Sequence, residues 1–341
     1  MVPRHRRLTI GLLGTLLCSP SIASEAMAQA WVPARGEGSV SIAFQTQHVE
    51  KHLTGTVSRI AGDIDSNIVL ADVTFGLTDK IAVDVALPFV SAKYTGPTAH
   101  PDTNIDDGTY RSSFTDVRFA LRYNLTRDGA VITPYIGSVM PSNNYAFYGH
   151  AAPGQRLREL QVGVYAAKLV ERGLPGLFIS GRYAFGFVEQ VLDISHNRSH
   201  ADLEIGYFFN SRFRAFTMAN AGVTHGGIDF PTEGGLSALP PEYRFNHDQI
   251  QRVNFLDLGV GAAFSLTDAV DVFGSFSKMA AGRNGHALDR GITVGVSWGF
   301  RRKTNPAETA AATAPSSEGV EVSAETEKRE GTLLRCICQK S

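Results

Sequence analysis

The chain predicts an all-β fold, a transmembrane antiparallel β-barrel of about twelve strands with a disordered C-terminal tail. Three observations carry that expectation: a removable leader, apolar/polar alternation at strand period through the body, and connections that sort into short and long. The alternation is plainest in GITVGVSWGF, where Ile292, Val294, Val296, Trp298 and Phe300 take every second position and Gly291, Thr293, Gly295, Ser297 and Gly299 lie between them. A period of two puts the apolar set on one face of a strand. An aromatic closing that face at the membrane boundary suits the last strand of an outer-membrane barrel.

The leader comes first in the chain. Arg4, His5, Arg6 and Arg7 form a basic region, Leu8 to Leu17 an apolar run, and AMAQA offers small residues for cleavage after Ala28 or Ala30. Residues 1–30 therefore read as a signal peptide, and Cys18 leaves with it. The run is too short to span a bilayer as a helix, and no later segment is long and apolar enough. The 43% hydrophobic fraction, 34 glycines and net charge of −1 suit a barrel wall, and the charge balance excludes a nucleic-acid binder.

The body, residues 31–300, contains alternating segments at 38–49, 66–77, 81–94, 114–125, 130–141, 158–170, 177–190, 199–209, 213–225, 253–266, 270–281 and 289–300. In the first, Val40, Ile42 and Phe44 oppose Ser41, Ala43 and Gln45. In the third, Ile81, Val83, Val85, Leu87 and Phe89 oppose Ala82, Asp84 and Ala86. In the fourth, Val117, Phe119, Leu121 and Tyr123 oppose Arg118, Ala120 and Arg122. Each is long enough to cross the membrane when tilted. The joints LTDK, TRDG, ERGLPG, NSR and LTDA follow the even-numbered segments and are rich in turn formers, whereas the odd-numbered ones lead into long connections such as Thr95 to Ser113 and Gly226 to Arg252. Short periplasmic turns, long external loops and periplasmic chain ends are the expected arrangement in the bacterial outer membrane.

Two segments carry a family resemblance. GLTDKIAVDVALPFV, Gly76 to Val90, resembles the turn, strand and Leu-Pro-aromatic segment of the outer-membrane family associated with the meta-pathway of phenol degradation. FTDVRFALRYNL, Phe114 to Leu125, is similar to the following strand of that family, whose members usually carry glycine where this chain has Thr115. The resemblance extends over 36–300 and implies a barrel and the passage of small apolar or aromatic compounds. It carries over no functional residue.

With the apolar sets facing lipid, the bore receives Asp72, Asp84, Asp116, Arg118, Arg122, Arg182, Asp202, Glu204, Arg214, Asp257 and Asp271. Asp84 precedes the strand of Arg118 and Arg122, and Asp202 and Glu204 lie between the strands of Arg182 and Arg214. Ion pairs that fix register are the simpler expectation, because unpaired buried charge is costly; a constriction that orients a permeant is compatible with them. Ile68, Leu70, Ile132, Ile136, Met140, Phe178, Phe208, Phe216 and Met218 are apolar candidates for the same face, and they favour small apolar solutes if they line the path. Trp31 to Glu37 is too short to be a plug domain.

These features point to an outer-membrane channel for passive uptake of small apolar or aromatic solutes, with outer-membrane lipid, the barrel-assembly machinery and a small-molecule solute as partners and no cofactor. A structural or surface-interaction barrel, a scaffold or adhesin, is the alternative, and an outer-membrane hydrolase ranks below both. The stretch DISHNRSHAD holds Asp193, Ser195, His196, Ser199, His200 and Asp202, but a triad needs convergence in space, which adjacency in sequence does not supply. These residues, with His48, His52, His225 and His247, read as loop residues at external rims. Residues 301–341 are rich in Ala, Glu, Thr and Ser, too poor in apolar surface to fold, and read as a periplasmic tail in which Cys336 and Cys338 form an incidental C-x-C pair.

Overall fold

The computed structural model describes residues 30–97, 105–126, 129–231 and 238–301. The leader, the tail and Cys336 and Cys338 lie outside the described residues. Thirteen strand segments form one closed antiparallel sheet. They are β1 (Glu37–Thr54), β2 (Val57–Gly76), β3 (Ile81–Thr95), β4 (Arg111–Phe114), β5 (Asp116–Tyr123), β6 (Ala130–Pro141), β7 (Glu159–Leu169), β8 (Leu177–Val188), β9 (His196–Phe208), β10 (Phe213–Gly226), β11 (Asn254–Ser265), β12 (Val270–Arg283) and β13 (Gly285–Arg301). Pairing of β1 with β13 closes the ring, so no long edge is left unpaired.

β4 and β5 are two pieces of one wall strand, which gives the twelve-stranded barrel. Phe114 faces Phe89 and Arg118 faces Ala86 across β3, so four residues on one side oppose three on the other. The extra residue is a bulge at Thr115, whose N–H donates to the Pro88 carbonyl at 2.9 Å. The slip explains how Phe114 and Phe119, of opposite parity, both face lipid, while Asp116 and Arg118 face the bore.

The outer surface is the apolar set expected from the alternation. Ile42, Phe44, Val85, Phe119, Leu121, Val294, Val296 and Trp298 are all exposed on it. Inside, several bulky side chains lie flat on a glycine directly across the ladder. A methyl group at Gly206 would fall 2.3 Å from Cζ of Phe178, and one at Gly261 would fall 2.4 Å from Cζ of Phe216. Gly259 accommodates Met218 and Gly295 accommodates Phe273 in the same way. The inward glycines therefore hold neighbouring rings and thioethers against the wall.

Three expectations need correction. The connections at 50–65 and 282–288 are strand, not loop: β1 and β2 run on to a tight turn at Gly55, and β12 and β13 to one at Asn284 and Gly285, both with positive φ. Ile132, Ile136 and Met140 face lipid, because β6 is apolar on both sides and its register is set instead by Thr133 and Tyr135, whose hydroxyls need polar partners inside. His196 and His200 lie on β9 rather than in a loop. Of the other proposed inward apolar residues, Ile68, Leu70 and Phe178 are buried, and Phe208 and Phe216 sit on the same strand faces as Glu204 and Met218.

Candidate solute pathway

Two mouths bound the bore. At the long-loop end, residues 142–158 fold into the barrel and bury Tyr145, Phe147, Tyr148 and Leu157, while two short helical turns, Pro241–Phe245 and His247–Ile250, descend from the opposite side and bury His247, Gln249 and Ile250. The two segments meet: Phe245 packs on Phe147 and Tyr148 with ring centroids 5.3 and 4.8 Å away, and Gln249 donates to the Gln155 carbonyl at 2.8 Å. At the short-turn end the described chain begins inside the wall. The Ala30 carbonyl accepts from Thr133 at 2.6 Å and the Trp31 carbonyl from Arg122 at 3.3 Å, and both residues pack against Val131, Tyr135, Tyr165 and Ala184. This short N-terminal stretch packs against the inner wall at that end.

Between the mouths lies a cavity of about 200 Å³. Its wall includes Leu70, Asp72, Asp84, Asp116, Arg118, Tyr135, Glu159, Tyr165, Arg182, Arg198, His200, Asp202 and Phe255, all on strands from β2 to β11. The charges are arranged as a chain of pairs. Arg122, fully buried behind the wall, grips Asp84 through Nε at 2.7 Å and a terminal nitrogen at 2.8 Å, and Thr74 adds a hydroxyl bond to the same carboxylate at 2.7 Å. Arg182 and Asp202 are register partners on β8 and β9 and form an ion pair, Asn220 donates to the second Asp202 oxygen, and Arg182 reaches the Tyr135 hydroxyl at 3.4 Å. Asp116 accepts from the Tyr145 hydroxyl of the inward loop, which in turn accepts from the Arg156 N–H at 2.7 Å.

Glu159 and Arg198 were not singled out in the sequence, yet they complete the arc. Glu159 accepts from Gln161 at 2.8 Å, contacts His200 Nε2 at 2.9 Å and lies 3.9 Å from Arg198. Their parity was the available signal: Glu159, Gln161 and Tyr165 share one face of β7, and Arg198, His200 and Asp202 one face of β9. Arg118 differs from the rest. Among the described residues it makes no hydrogen bond or close ion pair, and its guanidinium faces the cavity with Asp116, Glu159 and Asp72 at longer range.

The remaining predicted residues lie off the cavity wall. Glu204 is buried on β9, Arg214 lies over the Phe216 ring at 5.9 Å, and Asp271 sits opposite the buried Ser297 on β13. Asp257 is buried on β11 with both oxygens lacking a hydrogen-bond partner among the described residues.

Strand parity also separates the residues once weighed for catalysis. His196, His200 and Asp202 face the bore, while Ser199 faces away, where its hydroxyl meets Tyr183 at 3.1 Å and His225 at 2.8 Å. His225 stacks on Phe185. Among the described residues no carboxylate completes that pair, so the stretch assembles no nucleophile, base and orienter.

No protein-family model and no curated protein matches the chain. Among solved structures, an outer-membrane channel from Pseudomonas putida F1 is similar over 80% of this chain and 98% of that one, at 12% identity and a TM-score of 0.62. The NanC porin follows with 11% identity, coverage of 76% and 98% and a TM-score of 0.46. The β domain of the Bordetella autotransporter BrkA has 9% identity, coverage of 78% and 100% and a TM-score of 0.47. The first likeness establishes the fold, that of a bacterial outer-membrane β-barrel, and the apolar outer belt fits the same membrane. The other two are too distant to carry more.

Proposed function

We propose that this protein is a passive outer-membrane channel for small solutes with an apolar or aromatic body. The observation that carries the reading is the cavity lining, which combines the uncommitted Arg118 guanidinium with Tyr135, Tyr165, Leu70 and Phe255. The two tyrosine rings lie 4.8 Å apart, a surface on which a small aromatic ring can rest. A guanidinium held in a cavity suits an acidic substituent such as carboxylate or phenolate. The other charges are tied to one another, so Arg118 is the group left for the solute. The resemblance to the phenol-degradation family supports the same solute class, and the likeness to an outer-membrane channel supports passage through the barrel.

Passage requires the inward loops to part. Their mutual contacts are few aromatic packings and hydrogen bonds, a closure of the kind that opens on the microsecond to second scale. Proteoliposomes containing the refolded barrel test the reading with benzoate and glucose as probes. Benzoate is expected to enter faster than glucose, and Arg118→Ala to remove most of that advantage. Equal entry of both probes, unchanged by the substitution, contradicts it.

A second reading, a surface scaffold or adhesin, is favoured by one observation, the contact between the inward loops at the long-loop mouth. It predicts impermeable vesicles and binding through the connection 227–253. A strain lacking the gene separates the two: slower growth on a limiting aromatic compound supports the channel.

A further inference from the structure

At the long-loop mouth, three histidines from distant parts of the sequence meet. His52 ends β1, His286 begins β13 directly opposite it in the ladder, and His150 reaches them from the inward loop. Ring centroids are 4.4 Å apart for His52 and His286, 4.5 Å for His52 and His150, and 5.4 Å for His150 and His286. One nitrogen from each ring lies within 4.8 Å of the other two. We propose that His52, His150 and His286 bind a divalent transition-metal ion of the zinc and copper class, which ties the inward loop to the seam of the barrel.

The geometry is close to what such an ion needs. A zinc–nitrogen bond of 2.0–2.1 Å in tetrahedral geometry places ligand nitrogens about 3.3 Å apart. His150 Nδ1 and His286 Nε2 are already 3.3 Å apart. Two ring nitrogens at that distance share one proton at most, so one of the pair presents a lone pair in the metal-free protein. The two sides that involve His52, each within 4.8 Å, close by movement of its ring toward the pair. Tyr94, itself buried, supports His150 from behind with its ring centroid 4.5 Å away.

The donor set selects the ion. Three imidazoles without thiolate or carboxylate suit zinc, copper and nickel and are poor ligands for magnesium or calcium. A tetrahedral ion keeps a fourth position for water or another ligand. The consequence lies in the loop, because the segment that carries His150 also contributes Pro153, Gly154, Gln155 and Leu157 to the cavity wall. An ion at the cluster fastens that part of the wall.

The test uses the full chain, refolded in detergent without a polyhistidine tag and with Cys336→Ser and Cys338→Ser, so that the tail thiols do not compete. Equilibrium dialysis against micromolar zinc should give one tightly held ion per chain. His52→Asn, His150→Asn and His286→Asn should each weaken binding at least tenfold, while His225→Asn, on the outer face, should leave it unchanged. Heat-modifiable gel mobility checks that each variant is folded. Copper electron paramagnetic resonance on the unsubstituted cluster gives a reading independent of folding in the variants, with hyperfine structure from three imidazole nitrogens expected. Absence of saturable zinc binding, binding that survives all three substitutions, or a copper spectrum dominated by oxygen ligands overturns the proposal.

Discussion

The arc from β3 to β9 and the seam between β1 and β13 are parts of the same wall built for different purposes. The arc faces the bore with Asp84, Arg122, Glu159, Arg182, Arg198, His200 and Asp202, joined by ion pairs and hydrogen bonds, and with Arg118, unpaired among the described residues. The inward face of the seam around Gln45 is uncharged. Gln45 donates to Thr293 at 3.0 Å and Gln47 to Gln45 at 3.0 Å, over a floor of Gly291, Gly295 and Ser297. None of β1, β12 or β13 lines the cavity. Around Gln45 the closing strands thus meet the bore with uncharged groups that pair locally, and the chain of inward ion pairs lies where the cavity is. Charges in the arc need partners drawn from neighbouring strands, which makes the arc the more brittle half.

The largest expected effect comes from breaking a pair in the arc. Arg122→Ala strands the Asp84 carboxylate without its guanidinium and is expected to cost about 3–5 kcal/mol. Gln45→Ala in the seam is expected to cost only about 1 kcal/mol. Urea unfolding in lipid vesicles compares them, and equal losses would erase the distinction between the halves.

Facing within the seam is tested next. Val296→Arg puts a charge against lipid and is expected to cost about 2–4 kcal/mol and to impair insertion. Ser297→Arg points inward beside Asp271, its ladder partner on β12, and should be better tolerated. A smaller loss is expected at the glycine recesses. A methyl at Gly261 meets both the Phe216 ring and the Gly274 carbonyl at 2.9 Å, so Gly261→Ala should destabilise the barrel by about 1–3 kcal/mol. Pairing it with Phe216→Leu should recover part of that loss, in a measured double-mutant cycle.

The smallest effect belongs to Asp229, outside the membrane, which binds Arg252 at 3.0 Å, Arg283 at 2.9 Å and Asn284 at 2.8 Å. Burial raises its pKa, but the hydrogen bonds from Asn284 and Arg283 and the two guanidinium charges outweigh it and hold the carboxyl below its ordinary value. A depressed folded value means that the stabilisation is present at neutral pH and is lost as pH falls below about 4. The site is partly exposed, so the contribution is about 1 kcal/mol or less. Hydrogen-exchange protection in 227–231, compared at pH 7 and about pH 2 in wild type and Asp229→Asn, should show the pH difference only in wild type.

The wall was legible because a lipid-facing strand must alternate, and the joints were legible because tight turns demand particular residues. The legibility failed where those pressures relax. At β6 both faces are apolar, and facing was decided by two hydroxyls rather than by hydropathy. At 50–65 the strands run on past the alternating segments, and the hydropathy pattern that marks them fades. The acidic and basic members of the arc were recognisable from parity, but the choice of Arg122 over Arg118 as the partner of Asp84 depends on the bulge at Thr115 and on strand stagger. The long-loop mouth was hidden altogether: His52, His150 and His286, or Phe147 and Phe245, meet only because two irregular segments fold inward, and no local pattern records that.

Single-channel recording of the refolded full chain in planar bilayers tests the central claim, a bore that runs along the charged arc and is closed by the inward loops. Wild type should show discrete, brief conductance steps, Phe245→Ala should lengthen the openings by removing its aromatic packing on Phe147 and Tyr148, and Arg118→Ala should shift the reversal potential away from anions. A bilayer that stays silent with all three proteins would contradict the claim.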